Sequence, residues 1–421
     1  MKFSAALDVD VLAHEAADEV TVMLDLQVPP APVTNRAPTA FQVVLDRSGS
    51  MAGPALAGAQ KALLGVITRL NPGDVFGVVA FDDAAQIVVP AAPLTDKPRA
   101  AAQVGGVQPG GMTDLSSGYL RGLQELRRAT AAAGITGGTV LVISDGHING
   151  GIRDHDEFAS ITAKAAADGI VTSTLGYGRG YDESLLSVLS RAGRGNHVFA
   201  DDPDAAGAAI AGELDGLLAK AAQAVTLTVR YTPAVHELAM YNDLPAHQTA
   251  DGEVMIELGD LYGEESRKLL LRMAVDGLSA LGLIQIATLE LRYVETATLT
   301  EHSVTLPISV NVVPGDELGD RIPNPQVQSE KLYQQGQQTK LQASQAYESG
   351  DLDAGDAHLA RSRDIFVDAM DIAPAPADIA DEIAVIDQLR AQATTLGAGY
   401  ASKASRQSYH SESRQRGRRK P

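Results

Sequence analysis

From residue 41 the chain alternates short continuous apolar runs with amphipathic stretches. "FQVVL" (41–45) is followed by the helical pattern "GPALAGAQKALLGVITRL" (53–70), then by "DVFGVVAF" (74–81) and a short edge-type strand "IVVP" (87–90). A helix over 116–134 precedes "TVLVIS" (139–144), and a helix over about 156–168 precedes "VTSTLGYG" (171–178). "DESLLSVLSRAG" (182–193) reads as helix, "HVFA" (197–200) as strand and 203–223 as helix. Uninterrupted Val/Ile/Leu strands separated by helices predict a mostly parallel sheet covered on both faces, a doubly wound α/β domain over 38–223.

The pattern then changes. "AVTLTVRY" (224–231), "EVMIEL" (253–258), "RKLLLRMAV" (267–275), "GLIQIATLELRYV" (282–294) and "SVTLPISVNVV" (303–313) follow one another with no helical pattern between them. That predicts an antiparallel sheet folded as a β-sandwich over 224–315. Residues 1–37 carry the strand-like "TVMLDLQV" (21–28) and end in the Pro-rich "PPAPVTNRAP". They are expected to join the same sandwich, so that the α/β domain is inserted between its strands. From 326 to 398 the chain reads as a helical bundle, with two helices around a Gly-Asp turn and a third at "PADIADEIAVIDQLRAQA". The first two resemble a single tetratricopeptide-type unit, but one unit makes no solenoid. A small bundle packed on the sandwich is the simpler expectation.

Composition narrows the function classes. The 421 residues are 45% hydrophobic and contain no Cys, which excludes disulfides, thiolate ligands and thiol catalysis. A formal charge of −19 argues against a nucleic-acid partner, since an acidic surface repels phosphates. Seven bases and one acid sit in the last stretch, residues 399–421, which reads as a basic, disordered tail; the rest carries about −25. No run of 18 apolar residues exists, and Asp8 and Asp10 interrupt any signal-type apolar region, so no membrane span and a cytoplasmic location are expected.

The chemistry begins at "FQVVLDRSGSMAG", where Asp46, Ser48 and Ser50 alternate directly after a strand. In a doubly wound fold ligands bind beyond the carboxyl ends of the strands. Three short oxygen-bearing side chains there can converge on a hard cation such as Mg²⁺, and equally on a helix N-terminus as caps. Thr113, in the Gly-rich "PGGMTDL", lies 67 residues further on, and Asp145, in "VLVISDGHIN", lies 99 residues on, both at the same sheet edge.

"DRSGS", "GGMTDL" and "ISDGHIN", in this order and spacing, resemble the metal-ion-dependent adhesion site of von Willebrand factor A (VWA) domains. "TLGYGRGYDESLLSVLSRAGRGNHVFADD" is similar to the last strand–helix–strand segment of bacterial VWA proteins, and the likeness covers about half the chain. The flanking strands and helical end resemble bacterial VWA proteins often labelled calcium-activated-channel-like. The resemblance implies Mg²⁺ as the ion, with Ca²⁺ or Mn²⁺ as substitutes. It implies direct ligation by Ser48 and Ser50, direct or water-bridged ligation by Thr113, and water-holding roles for Asp46 and Asp145. Such a site leaves one position open for an Asp or Glu of a protein partner, and in the family its filling is coupled to the last helix, here 203–222.

The resulting expectation is a non-enzymatic interaction protein. Alternatives are a regulatory subunit of an enzyme complex, such as a MoxR-like AAA+ ATPase system, and a metal-dependent hydrolase with His147 near the site. Hydrolases of that kind usually surround their ion with several carboxylates and a general base. "GYGRG" (176–180) lacks a full dinucleotide fingerprint, and neither a P-loop nor a G-x-S-x-G elbow is present. Asp82 and Asp83, in "FDDAA", read as solvated loop acids, or as a rim of the metal face or the site of a second cation.

Overall fold

The computed structural model describes residues 1–30, 37–145, 148–178, 181–200, 202–296, 298, 300–319, 321–374 and 376–415. The chain divides into two compact units, 34–219 and the flanking 1–33 with 220–421.

The flanking unit starts with β1 (Lys2–Leu7), β2 (Val11–Ala13) and β3 (Asp18–Gln27). The inserted unit then runs β4 (Ala40–Asp46), α1 (Pro54–Arg69), β5 (Val75–Phe81), β6 (Ala85–Pro93), α2 (Lys97–Gly105), α3 (Leu115–Ala133), β7 (Gly138–Ser144), α4 (His155–Ala167), β8 (Ile170–Tyr177), α5 (Glu183–Ala192), β9 (Arg194–Ala200) and α6 (Pro203–Leu218). Its sheet has the order β6-β5-β4-β7-β8-β9, parallel throughout except for the antiparallel edge strand β6. Every residue of β4, β5, β7 and β8 is buried, as a sheet covered on both faces requires. Helices α1, α2 and α6 share one apolar core with the sheet, and α3 packs on β4, β5 and β6. Asp114 caps α3 by accepting from the Ser117 amide, and Asp154 caps α4 in the same way. Because β5 and β6 lie to one side of β4 while β7, β8 and β9 lie to the other, the strand order reverses between β4 and β7. The crevice at that reversal is where such sheets bind ligands.

The chain resumes with β10 (Lys220–Tyr231), β11 (Val235–Met240), β12 (Ala246–Ala250), β13 (Glu253–Tyr262), β14 (Ser266–Val275), β15 (Gly282–Glu295) and β16 (Thr300–Val313). They complete two sheets, β1-β3-β14-β11 and β12-β13-β10-β15-β16-β2. Leu24 and Leu26 of β3, Leu269 and Leu271 of β14, Leu227 and Val229 of β10 and Val310 of β16 belong to one core shared by both sheets. The N-terminal strands β1, β2 and β3 lie in these two sheets. β3 pairs along its whole length with β14, some 240 residues away in the chain. Helix α2 and the weakly apolar strands β2, β11 and β12 were not foreseen.

Four helices close the chain: α7 (Pro325–Glu348), α8 (Leu352–Ile372), α9 (Ala377–Leu396) and α10 (Ala398–Gln415). Val327 of α7 packs with Met23 and Leu270, and the Gln338 side-chain amide donates to the Tyr241 carbonyl at 2.9 Å, which seats the bundle on the smaller sheet. The expected disordered tail from 399 is a correction: residues up to Gln415 are helical. Ala401, Ser402, Ser405 and Tyr409 form a buried stripe at helical spacing, and Ala401 enters the bundle core. Lys403 and Arg406 are buried as well, with Arg406 paired to Glu348 and bonded to the Ser344 hydroxyl. Charge composition misled here because part of the basic charge is neutralised inside the bundle. Among the described residues no helix is long and apolar enough to cross a membrane.

Candidate metal centre

Asp46 is the last residue of β4 and is 0% exposed. One carboxylate oxygen accepts from the Ser48 amide at 2.8 Å and the other from the Ser144 hydroxyl at 2.6 Å. Burial still raises its pKa, because these bonds only partly replace lost water. The chain turns through a short 3₁₀ segment, Gly49–Met51, that puts Ser48 below the surface and Ser50 at it. Their hydroxyls stand 3.0 Å apart, and Ser50 donates to Asp145 at 2.7 Å. Asp145 directly follows β7. Burial pushes its pKa up to about 6, opposed by the Ser50 hydrogen bond and reinforced by the charge of Asp46. Four of the five expected site residues therefore lie on linked hydrogen bonds that bridge the ends of β4 and β7.

Thr113 arrives on the loop before α3 and is 3% exposed. Its loop is tied to the Asp46–Ser50 turn by Gly49 N–H donating to the Gly111 carbonyl (3.0 Å) and Gly110 N–H donating to the Arg47 carbonyl (2.6 Å). It is tied to the loop after β7 by Thr113 N–H donating to the Asn149 side chain (2.8 Å), and by Asn149 and Gly150 amides donating to the Thr113 carbonyl. Among the described residues the Thr113 hydroxyl has no hydrogen-bond partner. Ser144 and Asn149 escaped the sequence reading: Ser144 is hidden at the end of an apolar strand, and Asn149 has no motif of its own. His147 and residues 179–180 of "GYGRG" lie outside the described residues.

Of the two expected loop acids, Asp83 is exposed as expected, whereas Asp82 is not solvated. Asp82 is buried, pairs with Arg47 at 2.8 Å and accepts from the Gly111 amide at 3.3 Å. Desolvation works against its charge, yet the Ala84 and Gly111 amides and Arg47 outweigh it and hold its pKa below the ordinary value. Asp83 accepts from the Met112 amide at 2.7 Å. Both acids hold the Thr113 loop.

The donor set fits a hard divalent cation. It offers only oxygen, three of the five groups are neutral hydroxyls, and two carboxylates are held where ionisation is costly without a counter-charge. No group of three or more His, Cys, Asp or Glu able to hold a metal occurs among the described residues.

Comparison with known proteins gives the same frame. Residues 42–209 match the von Willebrand factor type A domain family. Over 294 residues the chain is 28% identical to the uncharacterized protein sll0103 of Synechocystis sp., a match covering 66% of each chain. Among solved structures, a von Willebrand factor type A protein from Catenulispora acidiphila superposes with a TM-score of 0.71 at 17% identity, covering 92% of this chain and 89% of that one. The ArnB paralog VWA2 from Sulfolobus acidocaldarius gives 0.64 at 12% identity over 98% of both chains. At these identities the two structures speak for the fold alone, and they extend it beyond the inserted unit. The crevice between β4 and β7, the order of its loops and the family match converge on a von Willebrand factor type A domain at residues 42–209.

Proposed function

We propose that the protein is a metal-dependent docking module that binds Mg²⁺ between Asp46, Ser48, Ser50, Thr113 and Asp145 and receives an Asp or Glu of a protein partner there. VWA domains are in general metal-dependent protein–protein interaction modules, which supports the class of function. The observation carrying the site is the bonded run Ser48–Ser50–Asp145 beside buried Asp46. Ser48, Ser50 and Thr113 would ligate through hydroxyl oxygen, while Asp46 and Asp145 would hold water and balance charge. The ion would supply an electrophilic position for a partner's carboxylate, since neutral ligands leave its charge largely uncompensated.

Without a cation the same crevice is acidic and repels a carboxylate, so docking by this route is conditional on metal. Water activation fits less well, because the neutral hydroxyls do not provide the several direct carboxylates and base that hydrolytic centres use. A cytoplasmic setting is part of the reading, in line with the absence of Cys.

Two measurements test it. Calorimetric titration with Mg²⁺ is expected to show one site that is lost in Ser48→Ala/Ser50→Ala. Capture from native lysate is expected to retain a partner with Mg²⁺ and to release it with EDTA or in Asp46→Ala. Retention that is equal in all three samples would overturn the docking role. Metal-dependent capture of an AAA+ ATPase would assign the partner to a regulatory-subunit relationship.

A further inference from the structure

The loop carrying Thr113 is held at five consecutive amides, each by a group outside the loop. Gly110 N–H donates to the Arg47 carbonyl (2.6 Å) and Gly111 N–H to the Asp82 carboxylate (3.3 Å). Met112 N–H donates to the Asp83 carboxylate (2.7 Å), Thr113 N–H to the Asn149 side chain (2.8 Å) and Asp114 N–H to the Asp82 carbonyl (2.8 Å). Here three side chains from two other segments take three of them, and two main-chain carbonyls take the rest.

The loop runs flush against these acids. A Cβ on Gly110 would stand 2.0 Å from an Asp82 oxygen, and one on Gly111 would stand 2.4 Å from an Asp83 oxygen. The glycines of "PGGMTDL" thus leave room for close approach of the β5–β6 turn, since a side chain at either would have to displace Asp82 or Asp83. Asp82 also reaches across to Arg47, inside the Asp46–Ser50 turn, at 2.8 Å. The pair thus links two of the three loops that carry site residues, and neither acid need touch the ion to do so.

We infer that Asp82 and Asp83 are positioning residues, which fix the Thr113 hydroxyl at the metal crevice before any ion arrives. The inference rests on the metal-binding reading above and deepens it. Preorganisation raises affinity because the ordering cost is met in folding and not in binding. Asp83 is the cleaner probe, being exposed and outside the core, where substitutions change stability little.

The test uses the full chain and three proteins: wild type, Asp83→Ala and Asp83→Asn, the last keeping an acceptor for Met112 N–H. Hydrogen exchange without metal is expected to show Met112 and Thr113 amides protected in wild type and exchanging faster in Asp83→Ala, with thermal unfolding nearly unchanged. Calorimetric Mg²⁺ affinity is expected to fall about tenfold in Asp83→Ala, as for losses of outer-shell partners, and to be restored within about threefold in Asp83→Asn. Asp83→Ala that binds Mg²⁺ like wild type, with or without faster exchange, would overturn the positioning role alone. A wild-type protein that binds no divalent cation would overturn the metal reading, and the inference with it.

Discussion

At the scale of single residues the site is a problem in keeping two acids close together. Asp46 and Asp145 lie at neighbouring strand ends, and burial lifts both pKa values, that of Asp145 to about 6. The sign of the pH effect follows. Between the ordinary carboxylate range and about 6, the metal-free fold holds protons that the unfolded chain has released. Its stability from this source therefore falls as pH rises through that window and is flat above it. A divalent cation needs the ionised forms and competes with those protons. The Mg²⁺-induced rise in Tm is thus expected to be clear at about pH 7.5 and largely absent at about pH 5, as thermal unfolding in both buffers would show. An equal rise at the two values would mean that the charge of neither carboxylate supports ion binding. Asp46, Ser48, Ser50 and Asp145 were legible in the sequence because each follows an apolar run at a strand end. Ser144 and Asn149 were not, since their roles exist only once β7 and its loop lie against β4 and the Thr113 loop.

Between elements, the bundle shows most clearly what a pattern can hide. Lys340 of α7 is 0% exposed, pairs with Glu382 of α9 and donates to the Ser408 hydroxyl of α10 at 2.9 Å. Gln337 donates to the same Glu382 at 3.0 Å. Removing one member of such a buried pair strands the other charge, so Glu382→Ala is expected to cost about 3–5 kcal/mol. Lys340→Met/Glu382→Leu removes both charges and is expected to fall well short of that loss. Urea unfolding of the two variants measures the contrast, and equal losses would show that the pair is not what holds these helices. A polar seam of this kind leaves α7 and α10 with weakly apolar sequences. The helix at α7 was still visible in the sequence, whereas α10 was mistaken for tail.

For the molecule as a whole, the inserted unit carries its own core. Leu45 of β4, Leu63 of α1, Val78 of β5, Ile143 of β7 and Ile210 of α6 belong to a cluster lying wholly within 34–219. A polypeptide of residues 34–219 is therefore expected to fold alone, with cooperative thermal unfolding and with the Mg²⁺ response of the full chain. Failure to fold, or folding without that response, would show that the flanking unit is needed to build the site. The flanking unit has the opposite character, because β3 finds its partner β14 only after the whole insertion. Non-local pairing of that span is slow to form, since loop closure precedes its reward.

The sequence by itself determined the inserted α/β fold, because fully buried parallel strands must be continuously apolar and their intervening helices amphipathic. It also determined where the proposed cation ligands stand, since the ends of such strands are the places where polar side chains can gather. The order of the strands was decided only in the tertiary structure, and with it the fact that Asp46 and Asp145 border the same crevice. The second layer of the site was decided there too. An acid in a loop has the same sequence signature whether water surrounds it or five amides need holding nearby. Asp82 and Asp83 became clamps only when the β5–β6 turn met the glycines of the Thr113 loop, and no local pattern encodes that approach.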